Sequence, residues 1–297
     1  MEASRWFWIH CLSPLHIGAG EGVGVIDMPI QREKVTEWPI IPGSSIKGVQ
    51  REHYRAKGQD TFVQKVFGTQ GDQDGSAGAV VMTDGRLFSF PVASRYGTFG
   101  YVASPLILKR LVRDAKALGV SLDIPDLIEE SSTLVTMNST LVENDELYLG
   151  EFQGAAKKSQ QLTDFAEQMA KLLFEDKQSQ TLWIERFVIV SDDVFQYIVT
   201  MNSEVTPRIR IDHETQTVSK GALWYEEYVP AEAIFYGLMW CDRVDGSNDL
   251  SVRHQLLNQL EKQMYLQLGG NTNVGKGRVS WRMTGGEDHE THSTSLC

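Results

Sequence analysis

Residues 25–48 read VIDMPIQREKVTEWPIIPGSSIKG, and this stretch sets the expectations for the rest of the chain. Its prolines predict extended backbone, because a residue that precedes proline is kept out of the helical region. Ser44 or Ser45 is then expected to cap a helix that runs to about Ala56. Two hydroxyls, free backbone N–H groups and Lys47 at a helix start favour an anion site. The alternative is a solvated helix face that binds no ligand.

Outward from this stretch, several segments predict strands. Arg5 to Leu12 (RWFWIHCL) is rich in aromatic residues and ends at Ser13-Pro14. Residues 79–83 and 86–90 are expected to pair as a hairpin about Asp84-Gly85, a dipeptide that favours turns. Leu182 to Val190 (LWIERFVIV) is predicted to be another strand.

A second predicted hairpin lies later in the chain. Arg208 to Asp212 alternates charged residues with isoleucine, a pattern that predicts a half-buried strand. It leads into Ala222 to Tyr225 as the second arm. Gly269 to Gly277 follows as a glycine-rich loop. Strands and helices interspersed in this way, without a regular βαβ array, predict an α+β fold.

Composition limits the functional classes. The chain has 297 residues, is 41% hydrophobic and carries a net charge of −11, which predicts a folded protein of one large or two ordinary domains. No apolar run reaches the 18–20 or so residues of a membrane-spanning helix. Three widely separated cysteines favour a reducing, cytoplasmic compartment over a disulfide framework.

The negative charge is concentrated in two places. Residues 117–156 contain eight acidic residues and no lysine or arginine, and three more acids follow Thr284. The rest of the chain is therefore neutral overall, and residues 31–57 hold six basic residues against three acidic ones. An RNA or DNA partner is compatible with such a local basic patch, though not with a uniformly basic surface.

Two glycine loops resemble nucleotide-binding motifs and fail in detail. Gly18, Gly20, Gly22 and Gly24 lack the spacing of the dinucleotide fingerprint. Gly270 to Lys276 (GNTNVGK) matches a phosphate-binding loop, but Gly277 stands where a hydroxyl residue should hold Mg²⁺. The loop can still approach phosphates closely through its N–H groups and lysine, unless it is simply a flexible turn.

Three segments together resemble a known family: His16-Ile-Gly-Ala-Gly, the run from Val25 to Glu33, and Pro39 to Gly48. They are similar to the N-terminal signature of RAMP-superfamily proteins, in particular the backbone subunit of the type III-B (Cmr) CRISPR–Cas effector complex. The Asp-x-Pro-Ile-Gln-Arg-Glu run is the most specific part. Arg208 to Asp212, Gly221 to Glu227 and the loop from Gly269 agree with this resemblance.

The resemblance implies a modified RRM-like (ferredoxin-like) palm with inserted helical fingers and a protruding β-hairpin thumb. The implied single domain spans residues 1–283, with a core of about 1–60 and 182–283. The insertion is then about 61–181, the thumb hairpin about 203–228, and 284–297 a disordered tail.

The resemblance also implies an activity. Copies stack as a helical filament on a guide RNA beside other subunits of the complex, and each cuts complementary target RNA next to its own thumb in antiviral defence. Asp27 is the implied catalytic residue, because a loop carboxylate can hold Mg²⁺ or another divalent cation. His16 can orient the phosphate or transfer a proton. Glu227 or Glu226 can add a second carboxylate.

Guide contacts are expected at the RNA backbone, because the guide sequence varies while the protein does not. The candidate contacts are polar and basic residues of the helix start, the hairpin and the glycine loop: Ser44, Ser45, Lys47, Arg51, Arg208, Arg210, Asn271 and Lys276. The alternative function is a non-catalytic RNA-binding scaffold of the same complex. The two functions differ only at Asp27.

Overall fold

The computed structural model of the protein describes residues 3–20, 22, 24–69, 77–125, 133–211, 214, 216–244 and 246–285. The helices within these ranges are α1 Gly43–Ala56, α2 Asp60–Phe67, α3 Pro105–Ala117, α4 Gln160–Leu173, α5 Lys177–Arg186, α6 Asp192–Met201 and α7 Leu250–Asn258, with one 3₁₀ turn at Thr272–Val274. The strands are β1 Ser4–Cys11, β2 Ile40–Ile41, β3 Val80–Met82, β4 Gly85–Ala93, β5 Phe99–Ala103, β6 Thr133–Thr136, β7 Val142–Glu143, β8 Glu146–Leu149, β9 Phe152–Ser159, β10 Phe187–Ile189, β11 Glu204–Ile211, β12 Val218–Tyr228, β13 Ile234–Cys241, β14 Gln263–Gln267 and β15 Arg278–Thr284. None of the described helices is long and apolar enough to cross a membrane.

Thirteen of the described strands form one mixed sheet. Its order is β14-β15-β1-β13-β4-β5-β10-β6-β9-β8-β7, with β2 paired to β4 and β3 paired to β13. Most neighbours are antiparallel, while β5–β10 and β6–β9 are parallel. The predicted α+β class is confirmed. The RRM-like palm, the fingers and the domain boundaries stay predictions, and most of the proposed tail lies outside the described residues.

Strand β1 lies in the middle of the sheet, between β13 and β15. The aromatic run predicted to be a strand forms it, and its side chains are buried on both faces of the sheet. Phe7 stacks on Trp281 with ring centroids 4.7 Å apart, and Trp8 meets Phe88 edge-on at 5.6 Å. Such pairs add about 0.5–1.5 kcal/mol each beyond the area they bury. The core is therefore anchored on this strand.

The strand predicted over residues 182–190 is wrong in its first half. Helix α5 continues to Arg186, and only Phe187–Ile189 pair in the sheet. The Asp176 carboxylate caps the helix by accepting from Ser179 N at 2.7 Å. Trp183 then stacks on Phe187 at 4.4 Å, so the helix buries its tryptophan against the strand that follows. Local capping and packing outweigh the apolar pattern here.

The hairpin predicted about Asp84-Gly85 is also wrong. Strands β3 and β4 both pair antiparallel with β13, so the chain keeps its direction between them. Instead of closing a turn, the Asp84 carboxylate accepts a hydrogen bond from Gly43 N at 2.8 Å. Asp84, from the dipeptide that favours a turn, thus holds the start of helix α1 in place.

Strands β11 and β12 form a separate two-stranded sheet. The predicted hairpin is present, but the half-buried isoleucine face is wrong: Ile209 and Ile211 are each 50% exposed. Leu223, which pairs with Ile209 across the hairpin, is 54% exposed. The alternating pattern predicts one face packed against a core, whereas the hairpin projects and leaves its apolar face uncovered.

Candidate active site at the hairpin root

The Asp27 loop runs along the root of the hairpin. The Asp27 carboxylate accepts a hydrogen bond from Tyr225 N at 2.8 Å, and Met28 N donates to Tyr225 O at 3.1 Å. Gly22 N closes the loop by donating to Asp27 O at 2.8 Å. A Cβ at Gly22 would lie 2.5 Å from Ile26 O, so the turn requires glycine there. Strand β12 thereby fixes the position of an exposed carboxylate.

An open cleft of about 360 Å³ lies beside this carboxylate. Its wall is formed by Gly22, Asp27, Met28, Arg210 and Trp224. A carboxylate, a cation and an aromatic ring therefore face one space. Asp27 and Arg210, both predicted from the sequence to handle RNA, are brought together here.

Glu227 is almost fully buried, with 4% of its surface exposed. Its carboxylate accepts from Ile30 N at 3.1 Å and is paired with the Arg32 guanidinium. Its backbone N donates to Met28 O at 3.0 Å. These contacts are those of a residue that holds the Asp27 loop, and the predicted catalytic role of Glu227 stays a prediction.

His16 lies on the other side of Glu227. Its Nδ1 is 2.7 Å from the Glu227 carbonyl, and because a carbonyl only accepts, Nδ1 carries the proton. In the neutral ring this leaves Nε2 as an acceptor. The ring packs beside Tyr228 at 5.5 Å, and a Cβ at Gly269 would fall 2.1 Å from His16 O. The two glycine loops thus meet around the histidine.

Glu226 is the centre of a second buried polar cluster. Its carboxylate accepts from Tyr228 Oη, from Trp224 Nε1 at 2.8 Å, from Asn271 Nδ2 at 2.9 Å and from Arg208 Nε at 3.2 Å. Burial acts to raise the pKa of Glu226, but the bonds from Tyr228 and Trp224 and the charge of Arg208 outweigh it and hold the pKa below its ordinary value. Glu226 is therefore ionised at neutral pH.

Tyr228 joins this cluster to the glycine loop. Burial, together with its bond to Glu226, raises the pKa of Tyr228 to about 12. Lys276 Nζ lies 4.7 Å from the centre of the Tyr228 ring, a cation–π contact. The structure therefore brings Arg208, Asn271 and Lys276 to the hairpin root, as three of the predicted RNA contacts.

Three residues of the site were missed by the sequence interpretation: Tyr228, Trp224 and Arg32. A signal for the first two was present, because Trp224, Glu226 and Tyr228 alternate along one strand and so share one face. Arg32 was counted in the basic patch, but nothing in the sequence paired it with a glutamate nearly 200 positions away.

The start of helix α1 lies apart from this root. Its cap position is Pro42 with no side-chain cap, so the expected cap at Ser44 or Ser45 is wrong; the Asp84 carboxylate already occupies Gly43 N. The Ser44 side chain is exposed, and Ser45 is half-buried.

The two predicted cations of this helix are turned onto the chain's own carbonyls. Lys47 Nζ donates to Val80 O at 2.7 Å, and Arg51 donates to Phe67 O at the end of α2 at 2.6 Å. Burial and the nearby Arg51 lower the pKa of Lys47. The RNA contacts of Lys47 and Arg51 stay predictions. They would have to be made by the N–H groups that these two bonds do not use.

The donor set limits how a divalent cation can bind. No group of three or more His, Cys, Asp or Glu side chains in the described part of the chain is arranged to hold a metal. Glu226 and Glu227 are bonded to the partners above, so Asp27 is the exposed one of the three carboxylates that the structure describes at this root. Mg²⁺ commonly binds through one or two carboxylates together with substrate phosphates and water. The described residues therefore fit an ion shared with a phosphate ligand, and do not by themselves form a complete ligand set.

Comparisons with known proteins agree on one family. The family model described as the RAMP superfamily matches residues 8–280. The CRISPR system Cmr endoribonuclease Cmr4 of Pyrococcus furiosus is 34% identical over 275 residues, which are 91% of this chain and 92% of that protein.

Two solved structures share the fold. The crystal structure of oligomeric Cmr4 from Pyrococcus furiosus matches with a TM-score of 0.73 and 26% identity, over 96% of this chain and 99% of that one. A chain in the cryo-EM structure of the type III-B Cmr-beta bound to cognate target RNA matches with a TM-score of 0.69 and 22% identity, over 94% and 96% of the two chains.

Proposed function

The chain belongs to the RAMP superfamily, among the Cmr4 proteins, and from this premise we propose that it is the repeated backbone subunit of a type III-B CRISPR RNA-guided ribonucleoprotein. In this proposal it binds the guide RNA and cuts complementary single-stranded target RNA at regular intervals in antiviral defence. Support comes from the relative named as an endoribonuclease and from the similar fold in an assembly bound to target RNA.

The observation that carries the nuclease proposal is the placement of Asp27. Its carboxylate is exposed, fixed by Tyr225 N and set in the wall of the cleft at the hairpin root. The hairpin beside it projects with an uncovered apolar face, which suits a wedge that unstacks one nucleotide. A displaced nucleotide can reach the in-line geometry that a regular helix denies to its phosphates.

In this proposal the side chains orient the reacting groups and transfer protons. Asp27 orients the attacking oxygen or accepts its proton, and His16 Nε2 is an acceptor that can orient the reacting group or take up a proton. Asp27 would also be the protein's ligand to Mg²⁺ or another divalent cation, which supplies positive charge opposite the phosphoryl oxygens when bound. Arg210, on the same cleft wall, would attract the target phosphate.

Guide binding is assigned to backbone contacts. Asn271, Lys276 and Arg208 lie together at the hairpin root, beside the glycine loop. Phosphate contacts of this kind fix register without reading bases. The proposed contacts of helix α1 are Ser44, Ser45, Lys47 and Arg51. Partners are the guide RNA, the target RNA, further copies of the chain in a filament, and other subunits of the complex; the oligomeric relative supports the filament.

Asp27→Asn in a complex reconstituted on a guide RNA tests the proposal. Asparagine keeps an oxygen for Tyr225 N, so the loop should hold its shape. We expect the cutting rate in Mg²⁺ to fall by about 10²–10⁴-fold, with guide and target affinities retained. Product ends of the wild-type complex should be evenly spaced along the target. Undiminished cutting by the variant would leave only the scaffold function.

A further inference from the structure

All the polar groups of Glu227, backbone and side chain, are bonded to the segments that carry His16 and Asp27. Its backbone N donates to Met28 O, and its carbonyl accepts from His16 Nδ1. Its two carboxylate oxygens take Ile30 N and Arg32. One residue of strand β12 therefore fixes the histidine on one side and the Asp27 loop on the other.

Arg32 extends this connection to the second arm of the hairpin. Besides Glu227, its guanidinium donates to Ser203 Oγ at 2.9 Å and to Glu37 O at 2.7 Å. Ser203 directly precedes strand β11, whereas Glu227 lies near the end of β12. The rigid fork of an arginine suits such a three-way contact better than a flexible ammonium. Arg32 thus joins both arms of the hairpin to the loop that carries Asp27.

We propose that Arg32 and Glu227 act as a positioning pair that couples the hairpin to Asp27, so that the two move as one body. This inference rests on the proposed function and deepens it. A hairpin that displaces the target strand then carries the carboxylate to the displaced linkage in a fixed relation. Arg32 touches no reacting atom in this account; it acts only through the loop it holds.

The chain offers a matched control. Arg110 pairs with Glu33 at 2.8 Å, and the side chains of Arg110 and Arg32 are equally exposed, at 22%. The Arg110 cation also lies over Trp38 at 5.3 Å. This pair ties helix α3 to the residue that directly follows Arg32, through a glutamate that bonds to Arg110 and Thr36. Arg110→Met should therefore remove an ion pair at an equally exposed arginine, with a partner carboxylate that is 20% rather than 6% exposed, without releasing Asp27.

The first test measures cutting by the full chain in the reconstituted complex. We expect Arg32→Met to lower the maximal cutting rate by about 10–10²-fold, as misplacement of a reacting group does, with target KM little changed. Arg110→Met should stay within about two-fold of wild type, as a change away from the site. Arg32→Lys, which restores the charge, should recover part of the rate.

A double variant separates positioning from simple stability. Arg32→Met leaves a buried carboxylate unpaired, whereas Arg32→Met with Glu227→Gln does not, so the double variant should recover thermal stability. The proposal expects its cutting to stay slow. Recovery of both stability and cutting would overturn it, as would an equal loss of rate in Arg110→Met.

The second test does not depend on nuclease activity. Met28 N and Ile30 N are protected by Tyr225 O and the Glu227 carboxylate, so hydrogen exchange at these amides reports the coupling directly. We expect faster exchange there in Arg32→Met and not in Arg110→Met. Unchanged exchange would overturn the positioning pair even if the wild type cuts, and a wild type that does not cut would overturn the nuclease proposal alone.

Discussion

Two regions of the molecule carry the residue types that handle RNA, and they use them differently. At the hairpin root, Glu226 gathers Arg208, Asn271 and Tyr228, and Lys276 covers the tyrosine ring. On helix α1, the two cations are each bonded to a carbonyl of their own chain. The first region is a polar cluster that reaches the cleft wall through Trp224. The second is partly the packing of a helix against its neighbours. A motif identifies which donors exist, and only the fold shows which are already in use.

The largest effect that sharpens this comparison is on stability. Glu226→Ala leaves the buried donors of Trp224, Asn271 and Tyr228 without their acceptor, and should lower the free energy of unfolding by about 2–4 kcal/mol. Lys47→Met, which removes one hydrogen bond to Val80 O, should lower it by about 1 kcal/mol. Urea unfolding of both full-length variants measures the difference. Equal losses would mean that the root is no more interdependent than the helix.

A smaller effect is expected on guide binding. Lys276→Ala should weaken binding equally for unrelated guides and reduce the slope of log K against log salt by about one. Lys47→Ala should change the slope less, because burial and its bond to Val80 O already occupy the ammonium. Filter-binding titrations over a range of salt concentrations decide this. A larger change for Lys47→Ala than for Lys276→Ala would reverse the comparison.

The smallest effect on stability should come from the hairpin's uncovered face. Ile209→Ser is expected to change the free energy of unfolding by less than about 0.5 kcal/mol, because the side chain is half exposed. Ile189→Ser, at a fully buried position, serves as the contrasting variant and should cost about 3 kcal/mol or more. Although the variant should remain stable, Ile209→Ser should make the spacing between product ends less regular if this face displaces the target strand.

Local patterns in the sequence predicted the parts of the fold that depend on local forces. The aromatic run at the N-terminus forms β1, and the alternation of charged residues with isoleucine lies in strand β11 of the hairpin. Local sequence patterns gave wrong predictions where a residue distant in sequence determines the structure. Asp84-Gly85 predicts a turn, because nothing in the local sequence indicates the bond between the Asp84 carboxylate and Gly43 N.

The same division holds for the site. The sequence interpretation placed Asp27, His16 and the two glutamates together only through the family resemblance, and the structure brings all of them to the hairpin root. It could not rank the glutamates, because the difference lies in partners: Arg32 for Glu227, and the Tyr228 cluster for Glu226. Strand alternation put both next to each other on opposite faces, and each face supplied different neighbours.

The central place of β1 has a consequence for how the chain is made. His10 pairs with Ile234 on one side and with Ser280 on the other, so the first strand finds its partners only near the end of the sequence. During synthesis β1 therefore lacks both of its strand partners until almost the whole polypeptide has left the ribosome. Long-range pairing of this kind is slow and exposes nascent chains to aggregation. Chain termination anywhere before β15 would therefore yield an aggregation-prone fragment rather than a smaller functional protein.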